Sequence, residues 1–401
     1  MTPKQIIYPL GYIARHSRGD ADAQHKRFCE GLSRELGLPH PCTPIGRART
    51  GTYLLVKGYI TETRRKVVMS PYTIPDLVNL VKFAGGEPVF ADHAPRSTNL
   101  GIDGLEELLD EQTACVLITH YHLNQDRFDD IRTLCDSKGV ALLEDCAISL
   151  GGTISGKSVG VSSNGGAFSF SSYKFLNYFW GGAIVSSDEE LLNKISAEVD
   201  QWPRFQGKDY RSQWLRTFKY DLATRQVMFD LVTAPMLRRG VRKSGEAITL
   251  QPPRIESTEF DESLRSRPSA AALAEWNRKL KLVQPRLEHR RRIAAIYQNH
   301  FGDMMVSKES SDATRAASCF VNYPIWIGAK RDEVYRQMLL ARFDVGLSIY
   351  PNSHEHEDFR QVPGRSTEIN RLCASVLSLP THPKVTPSYA EKLSQALKRF
   401  L

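Results

Sequence analysis

Short apolar runs alternate with amphipathic segments from about residue 45 to residue 187. The runs are rich in Val, Ile and Phe and have the length of buried strands; they lie at 66–69, 88–91, 115–119, 140–144, 167–170 and 183–186. The segments between them that have helical spacing lie at 75–84, 103–110 and 127–138. This alternation predicts an α/β fold with a largely parallel sheet covered by helices on both faces. Such sheets carry their chemistry in loops at the carboxyl ends of the strands.

The pattern changes between residues 190 and 260, where aromatic, aliphatic and basic residues are mixed. We interpret this region as an insertion that packs on the body or at a subunit contact. A contact of residues 211–243 with a membrane surface is the alternative.

The C-terminal third again alternates helical and strand-like segments. A long helix at 270–299, a strand at 322–327 and helices at 331–342 and 387–400 predict a smaller α+β domain. We therefore expect a large α/β domain at 40–255, including the insertion, and a small domain at 256–401. The N-terminal segment, 1–39, is expected to join the small domain.

Composition narrows the classes of protein that fit. The chain has 401 residues, 41% of them hydrophobic, which excludes fibrous and disordered classes. No apolar run approaches the roughly 20 residues of a membrane span, and the N-terminus does not resemble a signal peptide, so we expect a cytoplasmic protein. The seven cysteines form no C-x-x-C pair, which supports neither zinc nor disulfides.

The formal net charge is +8 at pH 7. This balance favours a mildly basic enzyme over a nucleic-acid-binding protein, and no zinc finger or RNP motif is present. A phosphorylated small molecule would suit the charge equally well.

Three features fall on the loop side of the predicted sheet. The first is the sequence Arg49-Thr50-Gly51-Thr52 at the start of a predicted helix, where free backbone N–H groups and the helix dipole could bind a phosphate. Taken alone the triplet is a weak signal, because ordinary N-capping commonly explains it.

The second feature is Asp145 at the end of a strand, and the third is Lys174 just after another strand. Asp145 could cap a turn or pair with a protonated ring nitrogen, and Lys174 could be solvated or catalytic. Together the three features match the needs of pyridoxal phosphate: amides for its phosphate, an acid for its pyridine nitrogen and a lysine for its aldehyde.

The ordered motifs resemble those of the DegT/StrS family of nucleotide-sugar aminotransferases. They are the T-G-T helix start, SPYTIPD with GGEPVFAD, EDCAISLGG with GKSVG, FSFSSYK, GGAIVSSDEEL, SRPSAAALAEWNRKL, HRRRIAAIYQ and VLSLPTHPKVT. The resemblance covers most of the chain, although the region 190–260 is longer and less familiar. It implies fold type I of the pyridoxal-phosphate-dependent transferases, with a mostly parallel seven-stranded sheet and a smaller C-terminal domain.

The resemblance also implies roles for single residues. Lys174 matches the family lysine that binds the cofactor covalently, and Asp145 matches the acid that pairs with the pyridinium nitrogen. The other cofactor contacts that the family motifs imply are Thr50, Gly51 and Thr52 in the phosphate-binding turn, Ser169 on the phosphate and Tyr72 stacked on the ring. A core role for Tyr72 is the alternative.

Two positions depart from the family pattern. Ile148 stands where the family has a polar residue, often Gln, that approaches the cofactor's phenolic oxygen. The family's G-x-N-x-R segment, which supplies an asparagine to the neighbouring subunit's phosphate site, is here residues 263–267, and Arg265 replaces the asparagine. Arg265 could bind the same phosphate, because a guanidinium is charged and forked.

Three more polar candidates lie outside the cofactor motifs. The run His354-Glu355-His356-Glu357 suggests a metal, but no third ligand motif stands near it, and no metal is expected. By resemblance, Tyr350 and His354 fall near a segment that reaches the sugar. His120 falls near a family histidine, with a positioning role and a catalytic role both open.

The resemblance implies a homodimeric aminotransferase that shares its active sites between subunits. Its substrate would be a nucleotide-linked keto-sugar and its amino donor glutamate. The alternatives are sugar dehydration, which in the family uses histidine in place of Lys174, and a non-catalytic regulatory protein that keeps the fold.

Overall fold

The computed structural model describes residues 20–401 except 39–40, 122–126, 172–173, 211–213, 216–217, 219–230, 233–234, 236–260, 309, 344 and 349. Its main sheet has seven strands in the order β1-β9-β8-β5-β4-β2-β3. These strands are β1 (Thr43–Ile45), β2 (Lys66–Met69), β3 (Glu87–Phe90), β4 (Thr113–Thr119), β5 (Ala141–Asp145), β8 (Gly165–Ser169) and β9 (Gly182–Ser186). A separate two-stranded hairpin joins β6 (Thr153–Ile154) to β7 (Lys157–Ser158).

The main sheet is parallel except for β9, which runs antiparallel to both of its neighbours. This confirms the predicted mostly parallel sheet. The carboxyl ends of the parallel strands therefore meet at one edge, where β4 ends at Thr119, β5 at Asp145 and β8 at Ser169. The first residue of β9, Gly182, lies at the same edge because this strand runs the other way.

Helices cover both faces of this sheet. Alternate residues of each strand point to opposite faces: Val67 and Leu117 pack in one core, and Val68 and Val116 pack in another. The helices of the first half of the chain are α1 (Ala21–Leu36), α2 (Ala48–Tyr59), α3 (Pro75–Phe83), α4 (Ile102–Glu106), α5 (Phe128–Ser137) and α6 (Glu189–Asp200).

A second, antiparallel pair of strands lies in the C-terminal part, with its own core of buried residues between Ile293 and Leu397. The strands are β10 (Asn322–Trp326) and β11 (Val376–Pro380). The helices are α7 (Ala270–Leu280), α8 (Val283–Phe301), α9 (Asp312–Ala317), α10 (Arg331–Leu340), α11 (Thr367–Ser375) and α12 (Pro387–Lys398).

The single long helix predicted at 270–299 is wrong, because α7 and α8 are separate helices. Pro285 lies in the first turn of α8, where its missing N–H is harmless. In a continuous helix its ring would clash with the carbonyl group of Lys281, four residues earlier.

Helix α1 packs against α7 and the sheet, since the Phe28 ring lies 5.3 Å from Trp276 and 5.7 Å from Phe170. The predicted domain boundary near residue 256 and most of 211–243, for which membrane contact was considered, lie outside the described residues. In the part of the chain that the structure describes, no helix combines the length and the apolar character needed to cross a bilayer.

Candidate active site

An acid and an amine interact electrostatically near the carboxyl edge of the sheet. One carboxylate oxygen of Asp145 accepts a hydrogen bond from the N–H of Ala147 at 2.9 Å. Burial raises the pKa of Asp145, and this N–H, Lys174 and His120 oppose the rise. Burial lowers the pKa of Lys174 to about 8, and Asp145 opposes that change. The structure therefore brings together the two residues that the sequence singled out for the ring nitrogen and the aldehyde.

Lys174 lies in the loop between β8 and β9. Backbone bonds close the base of this loop: the N–H of Phe170 donates to Gly181 O, and the N–H of Tyr178 donates to Phe170 O, each at 2.8 Å. Gly181 has a φ of +140°, and a Cβ added there would lie 2.0 Å from the Trp276 ring. Only glycine fits at this position, so the Gly-Gly pair that follows the lysine fixes where the loop returns to the sheet.

The predicted phosphate-binding turn is the start of α2. Its N-cap residue, Arg47, provides no side-chain cap, so no side chain of that residue competes for the first N–H groups of the helix. A Cβ on Gly51 would lie 3.0 Å from Ile184 Cγ1, which shows how closely the helix approaches β9. The Thr50 hydroxyl donates a hydrogen bond to Leu264 O at 3.0 Å and so already has a partner within the chain.

Ser169 ends β8 at the same edge, buried and 3.4 Å from the Ser171 hydroxyl. Thr52 is buried in the first turns of α2. The structure thus places Ser169 at the same edge of the sheet as Asp145, where α2 also begins.

Arg265 lies next to this turn but is engaged with its own chain. Its Nη1 is 2.9 Å from both carboxylate oxygens of Glu262, and its side chain is 42% exposed. The neighbouring Ser266 carbonyl accepts the N–H of Gly46 at 2.8 Å, which ties the segment to the strand before α2. That Arg265 reaches a second subunit stays a prediction.

Tyr72 belongs to an aromatic cluster at the junction with the C-terminal part. Its side chain is only 1% exposed, and its ring lies 4.8 Å from Tyr121 and 5.6 Å from Tyr350. Its hydroxyl is 2.6 Å from Ser348 Oγ, and the Tyr121 hydroxyl donates to the Tyr72 carbonyl. Ile148 packs in the same cluster. Tyr121 was not predicted from the sequence, where its only signal is its position two residues after a strand end.

His120 is buried next to the strand that ends at Asp145 and does not face solvent. Its ring is fully buried, with Nε2 at 2.6 Å from Glu144 Oε2, and that oxygen also accepts the N–H of Gly160 at 2.8 Å. The backbone N–H of His120 donates to Asp145 O at 3.1 Å. This geometry favours a positioning role for His120, and Glu144 is a partner that the sequence analysis missed.

The two histidines of the His354-Glu355-His356-Glu357 run contact different groups. His354 Nδ1 lies 3.1 Å from Ser366 Oγ, and its ring packs on Phe90 at 5.0 Å, on the edge strand β3. His356 Nδ1 lies 3.5 Å from Asp358. Among the described residues, the group with metal-binding geometry is instead His120, Glu144 and Cys146, all of them buried.

The donor set fits pyridoxal phosphate. A carboxylate suits a protonated ring nitrogen, an amine with a lowered pKa suits an aldehyde, and the start of α2 beside Ser169 suits a phosphate. The sequence model of the DegT/DnrJ/EryC1/StrS aminotransferase family matches residues 24–237 and 266–398 of this chain. The chain belongs to this family. The resemblance seen in the sequence motifs is thereby confirmed.

Individual members of the DegT/DnrJ/EryC1/StrS family match less of the chain. A GDP-perosamine synthase of Vibrio cholerae is 29% identical over 168 residues, 42% of this chain and 46% of that protein. An L-glutamine:2-deoxy-scyllo-inosose aminotransferase of Streptomyces paromomycinus is 27% identical over 175 residues, 44% and 41% of the two chains. The chain spans less than half the length of these curated relatives.

The likeness of the fold extends over the whole chain. The crystal structure of the aminotransferase TlmJ from Streptoalloteichus hindustanus superimposes with a TM-score of 0.75, at 18% identity, over 100% of this chain and 98% of that one. This likeness agrees with the predicted α/β architecture.

Proposed function

We propose that this protein is a pyridoxal-phosphate-dependent aminotransferase whose amino acceptor is a keto-sugar linked to a nucleotide. The observation that carries the proposal is the electrostatic interaction of Lys174 with Asp145 near the carboxyl edge of the sheet, where α2 also begins. When bound, pyridoxal phosphate supplies an electron sink for the carbon that loses its proton.

Each residue of the site has a task in this chemistry. Asp145 holds the proton on the ring nitrogen. Lys174 holds the cofactor's aldehyde carbon, and its Nζ, once free, moves a proton at the substrate carbon that carries the amino group. A pKa of about 8 leaves roughly a tenth of this amine neutral at pH 7, against about one part in 3,000 at a pKa of 10.5. Thr52, Gly51 and Ser169 orient the phosphate.

The substrate class rests on chemistry and on relatives. The net charge of +8 suits a diphosphate-bearing molecule. The name of the Vibrio cholerae relative includes a nucleotide, GDP. The name of the Streptomyces paromomycinus relative gives L-glutamine and an inosose instead, so a carbocyclic acceptor and glutamine as donor are the competing assignment to glutamate and a nucleotide sugar.

A homodimer with shared active sites and a cytoplasmic location complete the proposal. The segment 261–267 borders the start of α2 and includes Arg265, whose side chain is partly exposed. An exposed arginine beside a phosphate site supports the proposal that Arg265 serves a second copy of the chain.

The test is a screen with the purified holoenzyme. Nucleotide-linked keto-sugars and 2-deoxy-scyllo-inosose are each offered with glutamate or glutamine, and the products are weighed by mass spectrometry. We expect an amino-sugar product, about one mass unit heavier than its keto precursor, with the Lys174→Ala protein as the inactive control. Product from the inosose alone would overturn the nucleotide-sugar assignment. No product from any acceptor, in a protein that binds the cofactor, would overturn the aminotransferase proposal.

A further inference from the structure

The loop that carries Lys174 rests on two helices of the C-terminal part, and both provide cations to its backbone. From α7, the Lys279 ammonium donates to the carbonyl oxygen of Asn177 and, at 2.9 Å, to its side-chain oxygen. From α8, the Arg286 guanidinium donates to the carbonyl oxygen of Phe175. The residue directly after the lysine and the third residue after it are thus both held by cations that lie about a hundred positions away in the sequence.

Lys279 is unusually placed for a lysine. It is 5% exposed, and its ammonium lies 2.8 Å from Glu275 Oε1 one helical turn earlier. Glu275 is also buried, and it bonds Arg278 at 2.7 Å on its solvent side. A buried ion pair of this kind adds little net stability, because desolvation offsets the attraction between the charges. The Glu275–Lys279 ion pair therefore acts mainly by fixing the position of the Lys279 ammonium.

Arg290 extends the same contact surface. Its guanidinium carbon lies 5.0 Å from the centre of the Phe175 ring, and its Nη1 donates to Val321 O at 2.8 Å. Phe175 is therefore held by Arg286 through its carbonyl and by Arg290 through its ring. The base of the loop is closed by the backbone bonds of Phe170 and Tyr178, so these contacts act on the part of the loop that is not fixed by the sheet.

We propose that Lys279, oriented by Glu275, and Arg286 are positioning residues that hold the loop of Lys174 and so keep its amine near Asp145. This inference rests on the proposed function, since it assigns their target as the cofactor-binding lysine. Without them, the carbonyl groups of Phe175 and Asn177 lose charged donors, and the loop gains freedom between Phe170 and Tyr178.

The test uses the full chain with and without pyridoxal phosphate. The main variant is the double substitution Glu275→Gln with Lys279→Met, because Lys279→Met alone would leave a buried carboxylate unpaired. Arg278→Ala is the matched control: it removes the other cation bound to Glu275, on the exposed side of α7. Lys279→Arg keeps the charge and provides the conservative rescue.

The first readout is amide hydrogen exchange in the cofactor-free protein. We expect exchange over residues 174–178 to rise at least tenfold in the double variant, while β8 and β9 and the Arg278→Ala control stay unchanged. Tenfold corresponds to roughly 1.4 kcal/mol, the size of a hydrogen bond to a charged group. Unchanged exchange in a double variant that keeps the wild-type melting temperature would overturn the proposal.

The second readout is covalent capture of pyridoxal phosphate, measured as the rate of borohydride-stable labelling of Lys174. We expect the rate to fall in the double variant and to recover in part in Lys279→Arg. Faster exchange with unaltered labelling would show that these residues shape the loop but do not position the amine, which would also overturn the inference. If the wild-type chain takes up no label, the proposed function fails, and the exchange result still decides whether the loop is held as described.

Discussion

The amine of Lys174 should titrate far below an ordinary lysine even before any cofactor is bound. Burial lowers its pKa from 10.5 to about 8, although the Asp145 carboxylate favours its charged form. The perturbation that separates these two causes is Asp145→Asn, which keeps the shape of the side chain but removes its charge. Because an attractive charge is lost, the pKa of Lys174 should fall further, by on the order of one unit.

The size of the effect follows from the shift. The difference between 10.5 and about 8 makes the neutral amine of Lys174 roughly 300 times more abundant at pH 7 than that of an ordinary lysine. Only the neutral amine attacks an aldehyde, so the initial rate of reaction at Lys174 should exceed that of an ordinary lysine by a comparable factor.

Reductive methylation of the cofactor-free protein measures this rate without using the phosphate-binding turn. Peptide mass spectrometry over a range of pH values gives the midpoint for Lys174, with the exposed Lys157 as an internal standard for reagent decay. A midpoint near 10.5 would refute the claim that burial lowers the pKa of Lys174 with only partial compensation by Asp145. A midpoint that stays in place in Asp145→Asn would refute the electrostatic coupling of the two residues.

Three further outcomes are expected. Asp145→Asn should keep pyridoxal phosphate but lose on the order of 10²–10⁴ in the rate of amine transfer, since disrupting a buried pair costs roughly 3–5 kcal/mol; near-normal turnover would exclude its role. Lys174→Met should stabilise the cofactor-free protein at pH 7 and raise its melting temperature. The gain in the free energy of unfolding should reach up to about 3 kcal/mol. Because the pKa of Lys174 is lowered on folding, that gain should vanish as the pH rises from about 8 toward 10.5. Calorimetry across this pH range measures it, and a gain that persists at pH 10.5 would contradict the prediction. Mixing inactive Lys174→Ala and Arg265→Ala chains should restore activity, up to about half per mixed dimer, because one of its two sites is then intact; no recovery despite subunit exchange would place Arg265 in its own chain's site.

Local patterns predicted most of the sheet because its strands are short apolar runs. The strand expected at 66–69 is observed as Lys66–Met69. The strand expected at 140–144 lies one residue later, at Ala141–Asp145, and the one expected at 183–186 begins one residue earlier, at Gly182. Strand β1 was not predicted, because its three residues, one of them proline, are too few to show an alternation of apolar and polar positions. Ladder hydrogen bonds with β9, far along the chain, make it a strand.

The motif residues of the site were predictable, and the groups that hold them were not. Asp145 ends a strand that the apolar pattern locates, and Lys174 follows another such strand by five residues. His120 meets Glu144 because β4 and β5 pair in a particular register, which the sequence of either strand does not reveal. Lys279 meets Asn177 across 102 residues, so its position on an amphipathic helix looked like that of any solvated lysine.

The central claim is that Lys174 binds the cofactor through a covalent bond while Asp145 holds its ring. Borohydride reduction of the protein with pyridoxal phosphate, followed by peptide mapping, tests this most directly. We expect one pyridoxyl mass per chain, on the peptide that contains Lys174, and its release from the unreduced protein when an amino donor is added first. A label on Lys157 or Lys82 instead, or a label that no amino donor removes, would contradict it.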